Sequence, residues 1–297
     1  MIGKIYNRSI STKHKKAANL TEETYMHRGH DRYEIGDYKG AIKFYTKALA
    51  ITPKFSKAYK FRALAYGQLK NYKQALYDFG RAIEFAPEDA ELYICRGQVY
   101  FELSENAAAL ADFSRAIELS PQYESAYTNR AQVYTAQGDY ESALADLNKS
   151  VEIHSDYSIP RYLRAEIYLH LNKFAEAIID LYKAIEIDPI FSEAYRLRGI
   201  TFYRLWKNEA AIKDFNKAIE ININDGTSYY YRGLAYYRSN DFEQAVADLT
   251  DAAIFYPKYP ELYKRRGMAY EFLGDKARAQ ADFLKASELT KNDKNFS

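Results

Sequence analysis

Large apolar residues recur along this chain at intervals of three and four, the spacing that gathers them on one side of a helix. The pattern runs through one stretch, breaks at a short polar turn, runs through a second, and begins again. Five prolines, Pro53, Pro87, Pro121, Pro189 and Pro257, stand 34 residues or a multiple of 34 apart. A helix pair is therefore the repeated unit. Counted from Glu22, eight such units follow without insertion or deletion: 22–55, 56–89, 90–123, 124–157, 158–191, 192–225, 226–259 and 260–293. Residues 1–21 and 294–297 flank them.

Each unit repeats the same columns. Column 4 is tyrosine in seven units, with Arg161 the exception, and column 8 is always Gly or Ala. Column 11 is Tyr or Phe in seven, with Arg32 the exception, and column 20 is alanine throughout, from Ala41 to Ala279. Column 24 is large and apolar in every unit, and column 27 is Ala or, once, Ser150. Columns 4, 8 and 11 predict one helix; columns 20, 24 and 27 predict a second. Gly36, Gly138 and Gly274 at column 15 supply turn chemistry between them. Proline at column 32 closes the second helix, because it lacks the N–H that would extend it. Small residues at columns 8 and 20 let the two helices approach closely, with rings filling the space beside them.

These columns resemble the tetratricopeptide repeat family. The resemblance covers all eight units and includes Tyr38, Tyr72 and Tyr140 at column 17. It implies an all-α fold, a right-handed superhelical solenoid of antiparallel helix pairs whose first helices line a concave groove. It also implies a protein or peptide partner and no cofactor. The related pentatricopeptide repeat is one residue longer, so the ungapped period disfavours that RNA-reading alternative.

Columns 21 and 28 carry apolar pairs such as Ile42 and Leu49, or Ile178 and Ile185, in units 1 to 7. In unit 8 they become Gln280 and Ser287. The stripe is expected to meet the following unit, which makes unit 8 a true terminus of the array.

Column 7 is arginine in all eight units, where the family usually has an apolar residue. Column 23 is aspartate in seven, with Phe44 in unit 1. A partly buried guanidinium needs a partner, so structural pairs are expected within units: Arg62 with Asp78, Arg96 with Asp112, Arg130 with Asp146, Arg164 with Asp180, Arg198 with Asp214, Arg232 with Asp248 and Arg266 with Asp282. Only Arg28 is left over. The alternative is a ladder of cations for a ligand's phosphates or carboxylates.

In the family the groove is lined by columns 2, 5, 6, 9, 12 and 13. Units 5 to 8 place Tyr162, Arg196, Tyr203, Arg204, Tyr230, Tyr237, Arg238, Lys264 and Arg265 there. Aromatic residues beside arginine are what protein interfaces favour. These nine residues are the candidate site, and an acidic segment is its expected ligand. Chaperone-binding members of the family hold terminal carboxylates with a Lys/Asn clamp. Here Lys60 is followed by Leu64 at column 9, and Asn129 is flanked by Ile94, Gln98, Ile159 and Leu163. That clamp is absent.

Charge and composition narrow the rest. The formal net charge is +2, far from a dedicated nucleic-acid binder. The first 21 residues carry Lys4, Arg8, Lys13, Lys15 and Lys16 and no carboxylate. This arm is expected to be a flexible basic tail, with an organellar presequence as the alternative. Single-stranded RNA binding through the arm and groove tyrosines is the rival function. No run of eighteen apolar residues occurs, and Cys95 is the sole cysteine, which fits a reducing, cytoplasmic setting. Catalysis lacks a foothold. The glycines form no phosphate loop, His27, His30 and Asp31 lack a further metal ligand, and Cys95 has no histidine at a matching column. Trp206 takes the turn-glycine column, where it is expected to be exposed. The chain reads as a non-catalytic scaffold or adaptor.

Overall fold

A computed structural model describes residues 21–294; the basic arm, apart from Thr21, lies outside them. The described residues form α-helices joined by turns and contain no strand. Helices come in pairs at the spacing of the columns. The pairs are α1 (Glu22–Glu34) and α2 (Tyr38–Ile51), α3 (Ser56–Gln68) and α4 (Tyr72–Phe85), then α5 (Ala90–Glu102) and α6 (Asn106–Leu119). These six helices make one compact unit. A second unit begins at Ser120 and holds α7 (Glu124–Gln137), α8 (Tyr140–Ile153), α9 (Ser158–His170), α10 (Phe174–Ile187), α11 (Ser192–Arg204), α12 (Asn208–Ile221), α13 (Gly226–Arg238), α14 (Phe242–Phe255), α15 (Pro260–Phe272) and α16 (Lys276–Lys294).

The turn inside each pair has one conformation. Every column 15 residue is left-handed: Gly36, Gly138 and Gly274 at φ of 77–79°, and Lys70, Ser104, Asn172, Trp206 and Asn240 at 57–60°. The next residue caps the second helix where it can, as Asp37 accepts from the Gly40 amide at 2.9 Å and Asp139 from that of Ser142 at 3.1 Å. Such a cap satisfies one of the amides that a helix start leaves open.

Packing follows the columns. Column 20 alanines are buried. Column 8 glycine makes room for an aromatic ring at column 24: a methyl group added at Gly97 or Gly199 would lie 2.8 Å from Phe113 or 2.7 Å from Phe215. Columns 21 and 28 pack on the next pair within each compact unit. Ile178 joins the cluster of Phe202 and Phe215, and Ile185 the cluster containing Ala194. Gln280 and Ser287 are exposed. Column 4 tyrosines also tie consecutive pairs, since Tyr93 donates to the Pro87 carbonyl at 3.0 Å and Tyr263 to that of Pro257 at 2.9 Å. Arg161, the exception in sequence, makes the equivalent bond to the Ser155 carbonyl at 3.3 Å.

Candidate functional site

The column 7 arginines have to be placed first, because they decide which cations remain for a ligand. In seven pairs Nε and Nη2 donate to the two carboxylate oxygens of the same pair's column 23 aspartate, at 2.6–2.8 Å. This two-point geometry is the strong form of the guanidinium–carboxylate bond. Hydrogen bonding to the aspartate raises the Arg96, Arg164 and Arg266 pKa, with burial opposing it. Burial pushes Asp248 up as well, opposed by its bond to Arg232.

The third nitrogen does something that the columns did not announce. Nη1 reaches back to column 25 of the preceding pair: Arg62 to Thr46 at 3.1 Å, Arg164 to Asn148 and Arg232 to Asn216 at 2.7 Å, Arg266 to Thr250 at 3.2 Å. Arg198 instead stacks on Tyr182, 4.2 Å from the ring centre. Each of these arginines thus joins its own helix pair to the one before. The polar and aromatic run Thr46, Asn148, Tyr182, Asn216, Thr250 was the available signal.

The nine candidate residues separate into engaged and available groups. Arg196 is paired with buried Asp225 at 3.2 Å, which also caps α13 through the Ser228 amide. Arg265 donates to Glu261 at 2.7 Å, and Lys264 lies 3.9 Å from the same carboxylate. Tyr162 donates to Glu166 at 2.7 Å and packs on Phe191. Tyr230 is only 9% exposed, edge-on to Tyr231 and Tyr259 in the core around Leu249 and Leu262. It offers no open ring. Tyr237 meets Phe242 and Phe272 edge-on, and those two rings stack with centroids 4.5 Å apart.

Tyr203 and Arg238 are brought together at the turn ends of α11 and α13, and Arg204 is the last residue of α11. Arg238 lies between two rings, 3.6 Å from the centre of Tyr203 and 4.1 Å from that of Trp206. Its Nη1 donates to the Tyr203 carbonyl at 2.8 Å, which places a cation at the carbonyl end of α11. The exposed Arg204 has no ion-pair partner among the described residues. Burial raises the Tyr203 phenol, with Arg238 and Arg265 pulling the other way. Trp206 is 72% exposed and left-handed. A bulky residue in that conformation costs about 1–2 kcal/mol, and its ring lies against Arg238.

Other chemistry is engaged elsewhere. His30 Nδ1 lies 3.2 Å from the Tyr45 hydroxyl, and its ring meets Phe61 edge-on. Burial pushes the Cys95 thiol up to about 11. Among the described residues no three His, Cys, Asp or Glu side chains cluster as a metal site.

Family models fit this chain one after another. The tetratricopeptide repeat matches residues 22–55, 56–89, 122–190, 227–259 and 260–293, and a TPR repeat model matches 97–138. The chain belongs to the tetratricopeptide repeat family. A tetratricopeptide repeat protein from Parabacteroides merdae is similar over 84% of this chain and 98% of its own, at 18% identity and a TM-score of 0.62. A chain of the APC/C hetero-tetramer Cut9–Hcn1 is similar over 86% of this chain at 15% identity and a TM-score of 0.63. This chain spans 50% of that one's length. The C-terminal part of a TPR repeat-containing protein from Cytophaga hutchinsonii is similar at 16% identity, over 81% and 98%, with a TM-score of 0.59. At such identities the likeness is one of fold. No curated protein matches the sequence. The tetratricopeptide fold is in general a non-catalytic scaffold for protein interaction. No described helix is long and apolar enough to cross a membrane.

Proposed function

We propose that this tetratricopeptide repeat protein is an adaptor that captures an acidic segment of a partner protein at the turn end of α11 and α13. The observation that carries this reading is Arg238 held between Tyr203 and Trp206. Two rings hold the guanidinium in place, so its charge is positioned for a carboxylate before the ligand arrives. Arg204 adds a second charge, and Tyr237 and Phe272 add apolar area. Arg196, Lys264 and Arg265 set the surrounding field from within their own ion pairs. Trp206, 72% exposed, adds an open aromatic face beside the guanidinium.

Trp206 is the sole tryptophan, so its emission reports directly on this site. Partners captured from lysate by the intact chain are identified by mass spectrometry, and their acidic segments are then titrated against Trp206 fluorescence. Binding should shift the emission, and Arg204→Glu should abolish both the shift and the capture. Trp206→Gly removes the strained conformation and should also end capture while the melting temperature holds or rises. Capture that survives both substitutions refutes the site.

A further inference from the structure

Seven column 7 arginines are each held by an aspartate and, in most pairs, by the preceding helix as well; Arg28 has no aspartate in its own pair and no repeat before it. Arg28 is exposed on α1, and Phe44 stands where the aspartate stands elsewhere. Phe44 stacks with Tyr25 at 6.4 Å, and Lys47 Nζ lies 5.6 and 5.5 Å from the two rings. Two hollows adjoin at Arg32 and Phe44, the first beside Arg28 and the second running along α2. One is lined by Arg28, Asp31, Arg32, Ile35 and Phe44; the other includes Ile42, Lys43 and Lys47. Four cations, Arg28, Arg32, Lys43 and Lys47, face two carboxylates. One of these, Asp37, is already held by Arg32 at 3.6 Å and by the Gly40 amide.

In later pairs the equivalent face is covered by an even-numbered helix, as α2 covers α3 and α14 covers α15. There columns 3 and 10 are buried, and apolar apart from Thr201 and Ser228, for example Ala58 and Ala65, or Leu262 and Ala269. On α1 they are Thr24 and Asp31, so the face departs from the one that receives another repeat. Residues 1–20 carry five cations and no carboxylate, the wrong sign to satisfy Arg28.

We infer that the α1–α2 face is a second docking site, where an acidic amphipathic helix of a partner protein lies as the preceding repeat's helix lies elsewhere. A carboxylate of the partner supplies the counter-charge that Phe44 cannot give Arg28, and its apolar side rests on Phe44, Tyr25 and Ile35. This site stands or falls independently of the Arg238 site.

The probe is a fluorescein-labelled peptide of residues 242–255, which carries Glu243, Asp248 and Asp251 and no cation. In the intact chain this helix already presents Thr250 to a column 7 arginine. Anisotropy titration of the full-length protein at low ionic strength should show saturable binding. Phe44→Asp supplies the missing intramolecular carboxylate, so affinity should fall about tenfold while the melting temperature rises. Arg28→Glu should give the same loss of affinity, and Arg204→Glu should leave it unchanged. Absence of binding, or equal binding by Phe44→Asp, overturns the inference. So does sedimentation showing self-association that Arg28→Glu abolishes, since the face would then belong to a second copy.

Discussion

Arg28 and Arg198 occupy the same column of two repeats, and their surroundings could hardly differ more. Arg198 is 8% exposed, held by Asp214 and stacked on Tyr182 and Tyr195. Arg28 is exposed and faces Phe44. Arg96 is intermediate: it has Asp112, but column 25 before it is Gly80, which offers nothing to bond. The identity of a residue in a repeat therefore does not set its role. Two other columns do, one in its own helix pair and one in the pair before.

That gradient can be broken most severely at Arg198. Asp214→Ala leaves a buried guanidinium without a counter-charge and should cost about 3–5 kcal/mol in urea unfolding. A loss below about 0.5 kcal/mol would place the pair with ordinary surface bridges and erase the contrast with Arg28. Next in size is the close approach that holds each arginine near its aspartate. Gly199→Ala drives a methyl group against Phe215 and should cost about 1–3 kcal/mol, measured the same way. Gly233→Ala should cost less, because its nearest neighbours are Leu249 Cγ at 3.0 Å and Asp248 Cβ at 3.2 Å.

Arg96 offers the opposite experiment. An added β-carbon at Gly80 meets nothing within 4 Å, and asparagine is what Arg164 and Arg232 already bond. Gly80→Asn should supply the missing acceptor and improve the helix, a gain of about 0.5–1 kcal/mol in melting experiments. No gain would mean that the backward contact contributes nothing. The smallest effect is a rate. With its thiol pushed up to about 11, Cys95 is about 0.1% thiolate at pH 8. Its reaction with a disulfide reagent should be slow in the folded chain and become fast on unfolding, which reads out local opening beside Arg96.

Much of this was legible in the chain itself, because the fold is built from contacts that recur every 34 residues. A column of arginine and a column of aspartate sixteen apart on two antiparallel helices leave little choice of partner. The left-handed turn showed itself only where glycine occupied it. Lys70, Ser104, Asn172, Trp206 and Asn240 adopt it because the helix pair closes there whatever the side chain. The candidate site was harder. Counting charges by column could not reveal that Asp225 neutralises Arg196, since that aspartate sits in the loop column as a helix cap. Nor could it draw Tyr230 into the core, which follows from the rings of Tyr231 and Tyr259 closing over it. The Arg238 stack joins residues 32 and 35 apart, near but off the repeat period, so no column aligns them.

The backward reach of each arginine bears on how such a gene can change length. Excising residues 192–225 would leave the Asp248 pair of Arg232 in place and set the guanidinium against Tyr182, the ring on which Arg198 now stacks. Removing from the array a number of codons that is not a multiple of 34 would carry a guanidinium away from its acceptors and strand it. Recombination between copies is thus tolerated in whole blocks, and the ion pairs act as a reading frame for the folded chain.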